Sequence, residues 1–364
     1  MEKSQSQHRL ESTLEMPTLC KKRKGWATRL SEVHKRNWQL VFVFGLPRSG
    51  TTWVGKIFDS HPQTLYKHEP DTFAHLPELP WAPEISEANA LRQRIEEILR
   101  LLPDTNTSSV AGSLPVFSKA YRSGWQQSAH WLSVWAAKAG QRVFRNSVVL
   151  PFANYPTAPC LVWKSINSLG RLGVLMRVTQ HRKAIILLRH PCGVIASLKR
   201  GRAFGHLHTD QSTDYNLLGQ LLNTGPGKRH GLSIDELRRM HPEERLAWKW
   251  VLAYEKVSED TVGMDDEVLV LRYEDVCKDP TDLAQRMFQW AGLGWSPQTE
   301  SFIQRSTTSG RNRRHVRFPR FGYFSVFQDP VWSASRWRHE LTPDEIERIL
   351  NILNRSHLRQ FYAN

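Results

Sequence analysis

The sequence predicts an α/β fold of three layers, with a mostly parallel central sheet flanked by helices. Two observations predict it. Short apolar runs, among them Leu40–Phe44, Leu161–Lys164, Ala184–Leu188 and Val268–Leu271, lack the polar alternation of a half-exposed strand, as strands buried on both faces do. Most of these runs lead into a segment whose apolar residues recur at helical spacing, the order that supplies the crossovers of a parallel sheet.

Taken in order, residues 1–37 have no clear period and carry the run Lys21-Lys22-Arg23-Lys24, so they are expected to form a loosely ordered basic arm. One domain is expected over 38–364. Its first strand, Leu40–Phe44, ends at Gly45, and Thr51–Ser60 follows with Trp53, Val54, Ile57 and Phe58 on one helical face. His61-Pro62 stops that helix. A second strand, Thr64–Lys67, delivers His68-Glu69-Pro70. Residues 75–140 read as a helical insertion, with helices over Ala88–Leu102 and Trp125–Ala139. The strands Leu161–Lys164 and Ala184–Leu188 precede helical patterns at Leu169–Val178 and Gly193–Arg200. Residues 203–230 are rich in Gly, Asn and Thr; a loop of that length inside a domain is a candidate lid. Ser233 with Glu236, and Thr342 with Glu345, have capping-box spacing.

Composition narrows the partners. The net charge of +15 is concentrated, because Arg177–Arg202 and Arg305–Arg320 contain many Arg and Lys residues and no Asp or Glu. Such local fields point to a polyanionic ligand. No apolar run has the length of a membrane span, and the N-terminus carries charges where a signal peptide has its apolar core, so a cytoplasmic protein is expected. Cys20, Cys160, Cys192 and Cys277 are scattered without metal-ligand spacing, which fits free thiols in a reducing compartment and gives no reason to expect a metal. Cys192 lies near arginines, but none follows at the distance a phosphatase loop needs.

The most informative stretch is Gly45-Leu46-Pro47-Arg48-Ser49-Gly50-Thr51-Thr52-Trp53. Its two glycines have the spacing of a nucleotide-phosphate loop, yet Thr51 stands where that loop has its lysine. Between a strand and a helix, Arg48–Thr52 would offer backbone N–H groups and the helix dipole to one anion, with Arg48 as the cation. Asp275, after a strand, tempts comparison with the acidic metal-binding residue of such proteins; capping of the segment after it is the expected role.

The stretch Gly45–Pro70 (GLPRSGTTWVGKIFDSHPQTLYKHEP) resembles the start of the carbohydrate and bacterial sulfotransferases, whose donor is 3′-phosphoadenosine-5′-phosphosulfate (PAPS). A second match is a strand ending in Arg189, with Ser197 eight residues on, similar to the motif with which that family holds the 3′-phosphate. The resemblance implies the P-loop NTPase-like sulfotransferase fold and PAPS as co-substrate with no metal. It implies Arg48, Ser49, Gly50, Thr51, Thr52, Arg189 and Ser197 as nucleotide ligands. Arg48 would also neutralise charge at the departing 5′-phosphate, Lys164 would sit near the reacting sulfate, and Glu69 would be the general base, with His68 as its competitor. The basic Arg311–Arg317 segment falls where the family closes a C-terminal loop over the nucleotide but departs from its Arg-Lys-Gly pattern; Trp337-Arg338 resembles the family's C-terminal end. The acceptor is expected to be a small-molecule or glycan hydroxyl, in a pocket built by the 75–140 and 203–230 segments. The rivals are a kinase or NTPase using ATP and Mg²⁺, and a basic nucleic-acid-binding protein.

Overall fold

The computed structural model describes residues 39–144, 160–207, 210–312, 326–327 and 329–362; the side chains of 140–144 and 309–312 and all other residues, the 1–37 arm included, lie outside the description. Five strands are present among the described residues: β1 (Leu40–Phe44), β2 (Thr64–His68), β3 (Cys160–Ser165), β4 (Arg182–Leu188) and β5 (Val268–Arg272). They form one sheet in the order β2-β3-β1-β4-β5, and every pair is parallel. The α-helices, in chain order, are α1 (Thr51–Asp59), α2 (Pro70–Phe73), α3 (Ala88–Leu101), α4 (Gly124–Phe144), α5 (Leu172–Val178), α6 (Pro191–Ala203), α7 (Tyr215–Leu222), α8 (Gly225–His230), α9 (Ile234–Arg239), α10 (Pro242–Asp260), α11 (Tyr273–Lys278), α12 (Pro280–Trp290), α13 (Pro297–Asn312), α14 (Pro330–Ser335) and α15 (Pro343–Leu353).

The apolar runs read as strands do form the sheet, and they are apolar because both faces are covered. Phe42, Phe44, Trp163 and Ile186 point into one core layer with Trp248 and Trp250 of α10, while Val41, Val43, Ile185 and Leu187 point into the other with Ile57 and Phe58 of α1 and Phe288 of α12. Alternate residues of one strand thus serve opposite layers, which fixes the register. Of the two edge strands, β5 stays partly exposed while β2 is almost wholly buried.

Three expectations change. Residues 203–230 are largely helical: a 3₁₀ turn at Gln211–Thr213 and the helices α7 and α8 occupy most of the stretch expected as loop. The 75–140 insertion holds the helices α3 and α4, but 105–123 between them is irregular, interrupted by Gly112 and Pro115. Asp275 caps nothing; it lies in the first turn of α11, half-exposed, with Arg272 Nε 3.4 Å from its carboxylate, and α12 is capped instead by Asp279, which accepts from the Asp282 N–H at 3.1 Å. Both expected capping boxes are present, opening α9 and α15. No helix among the described residues is long and apolar enough to cross a membrane.

Candidate active site at the carboxyl edge of the sheet

The strand order places the site. From β1 the chain departs toward β2 and β3, from β4 it departs toward β5, and a crevice opens at the carboxyl ends where neighbouring connections diverge. The β1–α1 loop carries Arg48 to that crevice and the β4–α6 junction carries Arg189.

The two motifs touch. Arg48 Nε donates to Ser197 Oγ at 3.0 Å, and Arg189 Nη1 donates to the Arg48 carbonyl at 2.9 Å. Ser197 is buried on α6, and the Arg189 side chain lies over the Tyr273 ring, 4.6 Å from its centroid, with Nη2 donating to Ser333 O at 2.6 Å. Three non-glycine residues have positive φ among the described residues, and two of them are Arg48 at 71° and Glu69 at 45°. Left-handed backbone at such residues costs on the order of 1 kcal/mol or more and persists where surrounding contacts impose it; here the Ser197 and Arg189 bonds hold Arg48.

The loop is held from below. Ser49 Oγ donates to Leu46 O at 2.7 Å and meets Tyr254 Oη at 3.0 Å, while its N–H is used by Leu46 O at 3.1 Å. Both donors of Ser49 are engaged inside the protein, where they shape the loop. The Gly50, Thr51 and Thr52 N–H groups have no internal hydrogen-bond acceptor among the described residues, as the first turn of a helix leaves them. Gly50 has φ 95°, and a Cβ there would lie 2.4 Å from a Tyr273 ring carbon. Gly50→Ala is therefore expected to destabilise the protein by about 1–3 kcal/mol, read as a lowered midpoint in thermal or denaturant unfolding; an unchanged midpoint would show that the loop is not pinned by Tyr273.

The neighbouring strands bring a second group together. Lys164, the penultimate residue of β3, is fully buried opposite His68 in the β2–β3 register, and its ammonium donates to the Glu69 carboxylate. Burial lowers the Lys164 pKa, Glu69 and Asp71 oppose that shift, and the nearby charge of Arg48 adds to it, which ties this pair electrostatically to the loop. The Glu69 N–H also donates to Lys164 O at 2.8 Å. His68 is held well below the ordinary imidazole range, by burial first and then by Lys164 and Lys56, and its Nδ1 lies 3.0 Å from Tyr66 Oη. A neutral, weakly basic imidazole is a poorer proton acceptor than the carboxylate beside it.

Several supporting residues escaped the sequence. Tyr254 Oη donates to Leu187 O at 2.8 Å and accepts from the Leu46 N–H at 3.2 Å, and Trp250 Nε1 donates to Arg189 O at 3.0 Å, so α10 braces both arginine-bearing segments. Glu274, one residue before the Asp that drew attention, accepts from the His190 N–H at 3.0 Å; burial pushes its carboxyl up. Asp71 accepts from Ser165 and Ser168 hydroxyls at 2.5 and 2.7 Å and so fixes the turn that follows Glu69. Only the aromatic content of the α10 segment could have hinted at such a brace. Trp337 is packed, stacked on His190 with centroids 4.6 Å apart, and Arg338 lies over it. Residues 313–317 of the basic segment lie outside the described residues, as does the side chain of Arg311.

The arrangement leaves two sets of donors without internal acceptors among the described residues. Arg189 Nε is buried without a hydrogen-bond partner, and a Cβ on Gly193 would come within 3.0 Å of it, so the glycine leaves that donor uncovered. The loop N–H groups offer a second anion cradle, and the Glu69–Lys164 pair stands on the strands beside it. Among the described residues no group of three or more His, Cys, Asp or Glu side chains is placed to hold a metal ion.

Comparison with known proteins bears on this site. Carbohydrate sulfotransferase 5 of Mus musculus is 22% identical over 340 residues, covering 85% of this chain and 77% of that protein. Among solved structures, the sulfotransferase domain of the Synechococcus PCC 7002 olefin synthase is 19% identical, covers 87% of this chain and 96% of its own, and has a TM-score of 0.40. Mouse sulfotransferase SULT7A1 complexed with PAP is 11% identical, covers 90% of this chain and 88% of its own, and has the same TM-score of 0.40. Structural likenesses of that degree add no weight to the assignment. The profile of the sulfotransferase family, however, matches residues 40–297, from the first residue of β1 through the loop, Glu69, Lys164, Arg189 and Ser197. The chain belongs to the sulfotransferase family.

Proposed function

We propose that the protein transfers the sulfuryl group of PAPS to a hydroxyl of a sugar or glycoconjugate. The observation that carries this reading is the junction of the two arginine motifs, Arg48 to Ser197 at 3.0 Å and Arg189 to the Arg48 carbonyl at 2.9 Å, beside a loop with no lysine. A loop for a nucleoside triphosphate uses its lysine as a point charge on the β and γ phosphates; a guanidinium forked toward one phosphate fits a phosphosulfate better.

In this reading the donor supplies the sulfuryl group. Arg48 and the N–H groups of Gly50, Thr51 and Thr52 neutralise charge on the departing 5′-phosphate, which is the largest service such a site performs. Arg189 and Ser197 hold the 3′-phosphate. Glu69 accepts the proton of the acceptor hydroxyl, and Lys164 fixes the carboxylate while adding positive charge near the transferred group. The acceptor pocket is assigned to a cavity of about 270 Å³ lined by Leu46 and Pro47 of the loop, Trp81, Asn167, Asn216 and Gln220. Its wall also carries Lys249 and Asp214, 3.7 Å apart, and an aromatic face beside amides and a charged pair offers both stacking and hydrogen bonds to a polyhydroxylated ligand. The name of the mouse relative, a carbohydrate sulfotransferase, supports the same substrate class. Part of this wall comes from α7, so the 203–230 segment contributes to the pocket as packed helix. The free, buried Cys160, Cys192 and Cys277 are compatible with a cytoplasmic setting.

Calorimetric titration tests the reading. Adenosine 3′,5′-bisphosphate is expected to bind one-to-one, with ATP and Mg²⁺ giving no comparable heat. ATP binding without a response to the bisphosphate would replace this reading with a degenerate kinase or NTPase site. A nucleic-acid-binding function would instead show steep salt dependence across many phosphates.

A further inference from the structure

Away from the sulfuryl site, between α1, β2 and the 105–122 segment, lies a cavity of about 50 Å³, several times the ~10–15 Å³ that one water needs. Its lining is basic. Lys56, Lys67, Lys119 and Arg122 line it with His130, and Asp59 is the one carboxylate among the lining residues.

The three lysines are almost wholly buried, and each is tied to oxygens of the wall. Lys67 Nζ donates to Pro103 O at 2.7 Å and Thr105 O at 3.0 Å, Lys56 Nζ to Pro115 O at 2.7 Å, and Lys119 Nζ to His61 O at 3.1 Å. Carbonyl oxygens satisfy the donors but carry no net charge. Asp59 pairs with both Lys56 and Lys119, at 2.5 and 3.2 Å, and so is shared between two ammonium groups. Asp104 acts on Lys67 from outside the cavity. The imbalance shows in the ammonium groups: burial lowers Lys67 to about 7 and Lys119 to about 8, with Arg122 adding to both shifts.

Two groups are left to bind something. The Arg122 guanidinium, on a half-exposed side chain at the cavity's wall, makes no hydrogen bond or ion pair among the described residues, contacting only the Tyr121 ring at 5.3 Å, and His130 Nδ1 is buried without a partner on an imidazole that burial and then Arg122 lower to about 4 and so keep neutral. The buried charge is that of the three lysines, with one carboxylate, Asp59, in the lining, and buried charge is tolerated when it is paired. We propose that this cavity is an anion site, in which Arg122 and His130 bind one small oxyanion or carboxylate within the positive field of Lys56, Lys67 and Lys119. The anion is either a free inorganic ion or the acidic group of a larger ligand. The site stands on its own geometry and does not depend on the sulfotransferase reading.

Sulfate is the probe, titrated at constant ionic strength against thermal unfolding, with the β1–α1 loop blocked by saturating adenosine 3′,5′-bisphosphate. Saturable stabilisation is expected, weakened about tenfold in Arg122→Gln through loss of a charge-assisted contact, and partly restored in Arg122→Lys. A non-saturable response, or an unchanged one in Arg122→Gln, would overturn the site. Crystals soaked in bromide provide a readout that needs no variant and no blocking nucleotide. Anomalous density in the cavity supports the proposal, and density confined to the β1–α1 loop refutes it. Displacement of sulfate by glucuronate but not by glucose would identify the anion as the acidic group of a sugar; displacement by neither would identify a free ion.

Discussion

Glu69→Gln is expected to slow sulfuryl transfer by about two to four powers of ten, with affinity for adenosine 3′,5′-bisphosphate unchanged. The substitution keeps the side chain's size and leaves an amide oxygen that can still accept from Lys164, so the Glu69–Lys164 contact survives in neutral form. What disappears is the site for the acceptor's proton. The left-handed backbone at Glu69 favours the same role: with φ 45° it departs from the β2 strand geometry and is held by its N–H bond to Lys164 O at 2.8 Å. A competing account makes Glu69 only the counter-ion of a buried lysine. That account predicts a lowered unfolding midpoint with kcat reduced only as far as the folded fraction falls. Single-turnover transfer from PAPS, measured together with bisphosphate calorimetry on the folded variant, separates the two. Loss of nucleotide affinity equal to the loss of rate would sink the assignment of Glu69 as base. His68→Gln should have the smaller effect, because burial and three ammonium groups, those of Lys164, Lys56 and Lys138, hold that imidazole neutral and weakly basic.

How much of this was legible in the sequence depends on whether the signal is local. β1 and β4 are continuous apolar runs with an arginine-bearing turn after each, and a parallel strand buried on both faces has little other way to be written. Arg48 and Arg189 could be placed for the same reason, each following the end of a strand, whereas Ser197, midway along α6, was reached only through the family resemblance. The 203–230 stretch misled because its polar residues are caps. Asp214 accepts from the Leu217 N–H at 3.2 Å to open α7, Thr224 does the same for α8, and Gly231, with φ 65°, ends α8. Asp, Thr and Gly at helix ends look like loop composition when the helices between them have only six or eight residues. The buried Leu217, Leu218 and Leu221 were the countersignal. The partners of Tyr254 and Trp250 were out of reach beyond the aromatic content of α10, since each meets its partner across more than sixty residues of chain. The Ser49 hydroxyl lies 3.0 Å from Tyr254 Oη, a contact that only the packed α10 reveals.

Arg189→Ala is expected to weaken adenosine 3′,5′-bisphosphate binding by on the order of 10²–10⁴-fold, from about 1.5–3 kcal/mol for each of two lost hydrogen bonds to a charged group. Two of its N–H groups are already used, on Arg48 O and Ser333 O, and the buried Nε has no partner, so the guanidinium has donors to spare for a phosphate. The same two internal bonds create the alternative: Arg189 could act as a staple that joins the β1–α1 loop to α14, affecting binding only through loop order. The alternatives differ in how conservative replacement and the partner residue behave. A staple needs the two carbonyl contacts, which a single ammonium in Arg189→Lys cannot both reach, so Arg189→Lys would resemble Arg189→Ala in both stability and affinity. A phosphate ligand keeps its charge in Arg189→Lys and should recover about one to two powers of ten of the lost affinity. Combining Arg189→Ala with Arg48→Ala sharpens the choice. If both side chains contact phosphate groups at opposite ends of one nucleotide, their costs should nearly add, apart from the coupling carried by the Arg189-to-Arg48-carbonyl bond, which survives truncation of the Arg48 side chain. If Arg189 acts only by holding the loop that presents Arg48, the double variant should bind no worse than Arg48→Ala alone.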